Sequence, residues 1–373
     1  MAEHPSSEGT RADSFTSGSP SRFADARESG EPAPLSGSGQ YTRRRLLKIG
    51  AGGAILASGV YAGLSVLDRD ESAGEVTAVA VPAGSFLLGT ITGNTLLAEA
   101  EFRTELDEAV TTESTVDSTT ALLTSIESTT GIDISAVETV TTFARYSEDS
   151  VGGALVFETS VGATTLGQRL EQADALADET NYSGHRLFEI DNAGLPVELT
   201  AAILPDGELA VGSRPEIEGV IDVTAGEGST VQGPVLDAAG RAADGFLSVG
   251  FTLPVELEAA EELPQFLQHF FDGAGIEYGY ATLLTDPAGL LTITFETASS
   301  SHASDLASQI RLVSLLDGET VGELIDLPPA LRDDVVALLQ DLSVETDGSL
   351  VTLRIPDGFA LVAQGIRLVL EEN

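Results

Sequence analysis

The chain has 373 residues, with 59 acidic and 18 basic side chains and a formal net charge of −41. This balance excludes nucleic acid as a partner, because phosphate contacts need clusters of lysine and arginine. The absence of cysteine rules out disulfides, thiol nucleophiles, cysteine-bound zinc and lipid attached to cysteine. Lys48 is the only lysine, so the chain after it has neither a phosphate-loop lysine nor a Schiff-base lysine.

Residues 1–40 are rich in Ser, Gly, Pro, Glu and Arg and contain few large apolar side chains. Such a composition cannot bury enough apolar surface to offset the loss of chain entropy on folding. The sequence therefore predicts a disordered polar tail over 1–40.

An arginine-rich motif follows the tail and precedes an uncharged run, residues 49–67. Arg43, Arg44, Leu46, Leu47 and Lys48 match the pattern Ser/Thr-Arg-Arg-x-hydrophobic-Leu-Lys of a twin-arginine export leader, which a receptor reads. Residues 41–67 are therefore predicted to be this leader or an N-terminal membrane anchor, with a linker at 68–75. We expect everything after about residue 70 to lie outside the cytoplasm.

The length of the apolar run favours retention of the leader as an anchor. At a rise of 1.5 Å per residue, 49–67 spans about 28 Å, close to the thickness of the hydrocarbon core. The basic motif before it fits the cytoplasmic side under the positive-inside rule. Cleavage after the small-residue site at 60–62 remains the alternative.

The acid excess lies almost entirely after the leader, where arginine is the only basic residue besides histidine. Such a surface repels itself unless counterions screen it. It resembles the surface of proteins from extremely halophilic archaea. The alternative is an ordinary acidic surface that binds cations.

The rest of the chain reads as alternating strands and helices, which predicts an α+β fold of mainly antiparallel sheet with packed helices. Strands are predicted at 76–81, 85–92, 139–146, 153–160, 186–190, 197–203, 208–211, 245–253, 276–284 and 290–297, with a hairpin turning at 347–348. Helices are predicted at 102–130, 163–178, 215–222, 254–271, 301–316, 328–340 and 357–371.

Two sequence echoes suggest that this part is a tandem duplication, with similar modules at 76–235 and 236–373. Phe157-Glu158-Thr159 recurs as Phe295-Glu296-Thr297, and the Asp-Gly pair at 206–207 recurs at 347–348 at nearly the same separation. The alternative is coincidence, because Asp-Gly is a common hairpin signal that arises independently.

The arginine leader, the acidic duplication and the segment Gly131-Ile132-Asp133, with Val137 after it, together resemble uncharacterised exported proteins of haloarchaea. The resemblance covers about residues 41–373. It implies no active-site residues for this chain.

The candidate chemical groups are few. His269 with Asp272, and His302 with Asp305, have the i, i+3 spacing of two metal ligands, but two ligands do not make a site and acids this abundant give such pairs by chance. His185 has no Gly-x-Ser-x-Gly elbow to accompany it. We therefore predict no catalytic residue, no metal site and no cofactor.

Asn181 begins the sequence Asn-Tyr-Ser, an N-glycosylation sequon in a polar stretch that reads as a turn. Because we expect export, Asn181 is a candidate glycosylation site. An unmodified loop is the alternative.

These features lead to a hypothesis of function. We expect a non-enzymatic extracytoplasmic protein, anchored through residues 49–67 if the leader is retained, that binds a surface protein or a small ligand or serves a structural role. The alternatives are a secreted hydrolase of unfamiliar type and the solute-binding component of a transporter.

Export is predicted to depend on the arginine pair. Replacing Arg43 and Arg44 together by lysine keeps the charge but removes the forked guanidinium groups that a receptor recognises. The precursor should then accumulate in the cytoplasm, as measured by fractionation and immunoblotting. Unchanged delivery of the double variant would contradict the predicted location.

Overall fold

The computed structural model describes residues 80–113, 120–121, 124, 136–147, 150–172, 176–190, 199–205, 207–242, 245–252, 275–315, 337 and 340–371. These residues belong to one compact unit, Gln40–Asn373. The predicted tail, leader and linker lie outside the described residues, as do the leader residues from Arg43 to Lys48. The predicted helix 254–271, with His269 and Asp272, and most of 328–340 also lie outside them. Among the described helices, none is long and apolar enough to cross a membrane.

The described strands form one twelve-stranded sheet in which all neighbours run antiparallel. The strands are β1 Ser85–Ile91, β2 Val137–Ser147, β3 Ser150–Thr159, β4 Leu176–Tyr182, β5 His185–Ile190, β6 Leu199–Ile203, β7 Leu209–Gly212, β8 Gly245–Phe251, β9 Ile276–Thr285, β10 Ala288–Thr297, β11 Ser343–Asp347 and β12 Leu350–Ile355. Their order across the sheet is β11-β12-β10-β9-β8-β1-β2-β3-β7-β6-β5-β4.

Seven helices are described beside this sheet, which confirms the predicted α+β class. They are α1 Gly93–Ala98, α2 Ala100–Glu113, α3 Ala163–Gln172, α4 Arg214–Thr224, α5 Pro234–Arg241, α6 Ser300–Val313 and α7 Gly358–Glu371. The two shortest, α1 and α5, were not predicted.

Alternation along the strands divides the core between two faces of the sheet. On β1, Leu87 packs in one cluster and its neighbour Leu88 in another; on β3, Phe157 and Val156 are divided in the same way. The first face, that of Leu87 and Phe157, is covered by α1, α2, α3, α6 and α7. The second face, that of Leu88, is covered by α4 and α5.

The structure corrects the prediction of one helix over 163–178. Helix α3 ends at Gln172, and β4 begins at Leu176. The segment 176–179 reads Leu-Ala-Asp-Glu, whose residues favour helix or turn, but its pairing with β5 imposes a strand. The sequon residue Asn181 therefore lies in a strand, and the turn that we predicted around it is confined to Ser183 and Gly184.

The two halves contribute to the same sheet and repeat its strand order. Outward from the centre, the first half places β1, β2, β3, β7 and β6, and the second places β8, β9, β10, β12 and β11. Phe157 pairs with Leu209 of β7, and Phe295 pairs with Val351 of β12, so the echoed phenylalanines occupy corresponding strands. Among the described strands, the hairpin β4–β5 has no counterpart in the second half.

The second echo corresponds less closely. Gly207 and Gly348 both have positive φ, at 88° and 60°, between the last two strands of each half, while Asp206 lies outside the described residues. The helix that follows packs on opposite faces, α4 on the second and α7 on the first. The duplication therefore stays a prediction.

A ladder between β1 and β8 joins the halves at the centre of the sheet. It pairs each residue of 87–91 with a residue of 247–251, from Leu87 with Phe251 to Ile91 with Leu247. Helix α5 lies directly over it, because Gly250 has no side chain: a Cβ there would lie 2.2 Å from the Ala239 nitrogen.

We predict that Gly250→Val destabilises the protein by at least about 1–3 kcal/mol, the usual cost of overpacking, because α5 must leave the ladder to make room. Urea unfolding in molar salt measures this change. Gly240→Ala is the control on the same helix. An added Cβ there has no heavy atom within 4 Å, so alanine should be neutral or stabilise by about 0.5–1 kcal/mol. Equal stability of Gly250→Val and the wild type would contradict the packing argument.

Candidate functional site

A buried ion pair fixes α4 to the second face of the sheet. Arg145 Nε, on β2, lies 2.5 Å from Glu216 Oε2 in the first turn of α4. The Glu216 side chain is 1% exposed and that of Arg145 is 27% exposed. Arg145 Nη2 also donates to the Pro215 carbonyl at 3.4 Å. One guanidinium thus holds both the side chain and the backbone at the start of the helix.

The carboxylate reaches this position because β3 has a glycine below it. Gly152 pairs with Arg145 across the strands, and a Cβ at Gly152 would lie 2.6 Å from Glu216 Oε1. Burial raises the pKa of Glu216 above its ordinary value, and the charge of Arg145 offsets only part of that rise. Keeping the buried Glu216 carboxylate ionised therefore costs desolvation free energy, which the Arg145 charge offsets only in part.

A second polar group of residues lies on the second face beyond α5, across β9 to β12. We call it the polar strand face. Its position follows from strand alternation: the neighbouring residues Ala281, Leu283, Leu291, Val351 and Leu353 point to the first face, where they are buried. The polar strand face comprises Tyr278, Tyr280, Thr292, Thr294, Glu296, Glu345, Thr352 and Arg354.

Tyr278, Glu296 and Arg241 meet at one side of this face. The Tyr278 hydroxyl donates to Glu296 Oε2 in a short hydrogen bond, and Arg241 Nη1 donates to the same oxygen at 2.9 Å. The Arg241 guanidinium lies 5.2 Å from the centroid of the Tyr278 ring, a cation–π contact. Burial, followed by the hydrogen bond to Glu296, raises the pKa of Tyr278 to about 12. The phenol therefore stays protonated and serves as a donor.

The remaining contacts of the polar strand face run across its strands. Thr294 and Thr352 share a hydrogen bond of 3.1 Å between their hydroxyls, and Arg354 Nη1 lies 2.6 Å from Glu345 Oε1. Tyr280 and Thr292 are half-buried. Thr294 is buried, so the hydroxyl groups that the face offers are mainly those of Thr292 and Thr352. With the tyrosine rings and charges of both signs, they suit polar recognition.

The structure does not bring the predicted candidate residues together. His185 begins β5, where it pairs with Tyr182, and no serine hydroxyl bonds its ring among the described residues. His302 lies in the first turn of α6, where the Ser299 hydroxyl is 3.1 Å from its Nδ1. Asn181 is exposed on β4.

Two further features of the described residues bear on the binding of a metal or a small molecule. No cluster of three His, Cys, Asp or Glu side chains that could hold a metal ion occurs within them. One shallow recess of about 90 Å³ is bordered by Ala337, Asp341, Ile355, Pro356 and Asp357. It is much smaller than ordinary ligand pockets of about 300–1,000 Å³.

Sequence reasoning missed both the ion pair and the polar strand face. The period-2 pattern Tyr278, Tyr280, Thr282 on β9, facing Thr292, Thr294 and Glu296 on β10, would have indicated the second. No local pattern indicates the ion pair, since Arg145 and Glu216 lie far apart in the chain.

No protein-family model matches the chain, and no curated protein matches it. The chain is similar in structure to TP0453 in three crystal forms. Form III has a TM-score of 0.41 at 9% identity, covering 79% of this chain and 99% of TP0453. Form I gives 0.39 at 9% identity, covering 79% and 98%, and form IV gives 0.42 at 10% identity, covering 80% and 97%.

We predict that Arg145→Met destabilises the protein at pH 7 by about 3–5 kcal/mol, because it leaves the Glu216 carboxylate buried without its counter-charge. The pKa of Glu216 should then rise further above 4.5, its ordinary value. An acid with a raised folded pKa binds its proton more tightly when folded. The penalty is therefore complete above that folded pKa and disappears as the pH falls towards 4.5.

Urea unfolding of the variant and the wild type across pH 4.5–8 measures this difference. The double variant Arg145→Met with Glu216→Leu is the control, since it removes both charges and should regain most of the stability. A loss that does not change with pH, or that the double variant does not reverse, would contradict the role assigned to the pair.

Proposed function

We propose that this chain is a non-enzymatic binding module that acts outside the cytoplasm, exported by its arginine-pair leader and held at the membrane by residues 49–67. We further propose that the polar strand face is its binding surface, for a surface protein or a small polar ligand. The observation that carries the second proposal is the change of character along the second face. Helices α4 and α5 cover its apolar part, and beyond them β9–β12 present tyrosine, threonine and charged side chains.

The composition of this face supports recognition rather than packing. Tyrosine combines a large apolar ring with a hydroxyl, and it is enriched where proteins bind one another. Among the paired groups, Arg241 and Arg354 are each about half exposed, so they remain open to a ligand or to water. Binding here would need no rearrangement of the sheet.

The two alternatives receive less support. A solute-binding protein that closes around its ligand needs a hinge between its two halves. Here the two halves are joined by the ladder between β1 and β8, whose hydrogen bonds would have to break before the halves could move apart. A hydrolase needs a nucleophile, a base and a third group in contact. His302 contacts the Ser299 hydroxyl, but among the described residues no carboxylate bonds its ring, and the ring of His185 has no serine partner there.

A matched pair of variants tests the proposed surface. Thr352→Arg adds a long charged side chain at the centre of the polar strand face, and Thr164→Arg adds the same group at an exposed position on α3. Tagged full-length chains are isolated from cell envelopes in molar salt, and the bound proteins and small molecules are identified by mass spectrometry.

A partner of the polar strand face should be lost at least tenfold from Thr352→Arg, about 1.4 kcal/mol of binding free energy. It should remain with Thr164→Arg at the wild-type level. If both variants retain the same partners, the polar strand face is not the binding surface. Turnover of a substrate by the purified chain would instead favour the hydrolase.

A further inference from the structure

The sequon lies at the end of the outermost strand of the sheet. Asn181 is the second-last residue of β4, and β4 pairs with β5 alone among the described strands. Asn181 and Ser183, the two residues that define a sequon, are both exposed. No other asparagine in the chain is followed two positions later by serine or threonine.

The hairpin presents these two residues and anchors the one between them. Ser183 and Gly184, with φ of 48° and 85°, form a two-residue turn of the type favoured in hairpins. The Tyr182 side chain points to the second face, where its hydroxyl lies 3.1 Å from both carboxylate oxygens of Asp222 on α4. The tip of the hairpin is therefore anchored through Tyr182 on the second face of the sheet. The side-chain amide of Asn181 lies on the first face.

The residue opposite Asn181 does not compete for its amide. Arg186 pairs with Asn181 across the strands, so the two side chains share a face. The Arg186 guanidinium is held by Glu171 and Glu179, each at 2.6 Å. Among the described residues, no hydrogen bond holds the Asn181 amide, which leaves its nitrogen open to reaction.

Exposure in the folded state matters because of the expected route of export, and here the inference rests on the proposed function. A twin-arginine leader is expected to deliver a chain that has already folded. A modifying enzyme outside the cytoplasm would then meet Asn181 as the folded hairpin presents it, and an acceptor within the core would be out of reach.

We propose that Asn181 is N-glycosylated after export. The Asn181 amide nitrogen forms a bond to the anomeric carbon of an oligosaccharide carried on a lipid phosphate. The bond between that carbon and the phosphate oxygen breaks. The lipid phosphate leaves with the electron pair of the broken bond and takes up the proton that the amide loses. No oxidant or reductant is needed.

A glycan at this position would also shield the sheet. An edge strand offers unpaired backbone groups to any second strand. Strand β4 carries the exposed acids Asp178 and Glu179, and no described strand pairs with its outer side. A bulky hydrophilic group at Asn181 would oppose the addition of another strand there.

The experiment measures the mass of the peptide containing residue 181, in full-length chain taken separately from the envelope and the cytoplasm of the native cells. Four chains are compared: the wild type, Asn181→Gln, Ser183→Ala and Ser183→Thr. Circular dichroism in molar salt confirms that each is folded. The envelope wild type and Ser183→Thr should carry the mass of one oligosaccharide, and Asn181→Gln and Ser183→Ala should lose it completely.

An envelope chain of unmodified mass would overturn the glycosylation and leave the export proposal standing. A wild-type chain found only in the cytoplasm would overturn both. A mass increment that persists in Asn181→Gln would place the modification elsewhere and overturn the assignment to Asn181.

Discussion

The antiparallel ladder between β1 and β8 is the constraint on which the rest of the fold depends. It turns two halves of the chain into one sheet, so that neither half has a free edge at the centre where a partner strand could enter. It also fixes which side chains share a face, because a register shift of one residue would exchange Leu87 with Leu88 and disrupt the packing of both clusters. The close approach of α5 at Gly250 then makes the register of the ladder and the position of the helix interdependent.

Most strands could be predicted because alternation and turn residues are local properties. The hairpins β9–β10 and β11–β12 lie close to their predicted positions, marked by Asp-Pro-Ala-Gly and Asp-Gly. Strand β4 could not be predicted, since its composition favours helix and only its pairing with β5 decides otherwise. The joining of β1 to β8 was also beyond local reasoning, because the two strands are separated by more than 150 residues.

The candidate binding surface, too, could be predicted from the sequence only in part. Tyr278 and Tyr280 lie two residues apart in a strand that was correctly located, so their common face was available from the sequence. The contribution of Arg241 could not be predicted, because Arg241 contacts Glu296 from a short helix that was not predicted from the sequence. The Arg145–Glu216 pair depends on the packing of α4 over Gly152, a contact between distant segments. Such a buried pair adds little net stability and instead fixes one position of the helix.

The length of the sheet has a geometric consequence. Neighbouring strands typically rotate by about 20–25° with respect to one another, so the eleven steps from β11 to β4 are expected to accumulate about 220–275°. A direction that points away from the sheet at one end is therefore turned through more than half a revolution at the other. The polar strand face near β11 and the hairpin tip of β4–β5 thus look towards different surroundings. A partner bound at the polar strand face would therefore leave the hairpin tip accessible to a second partner.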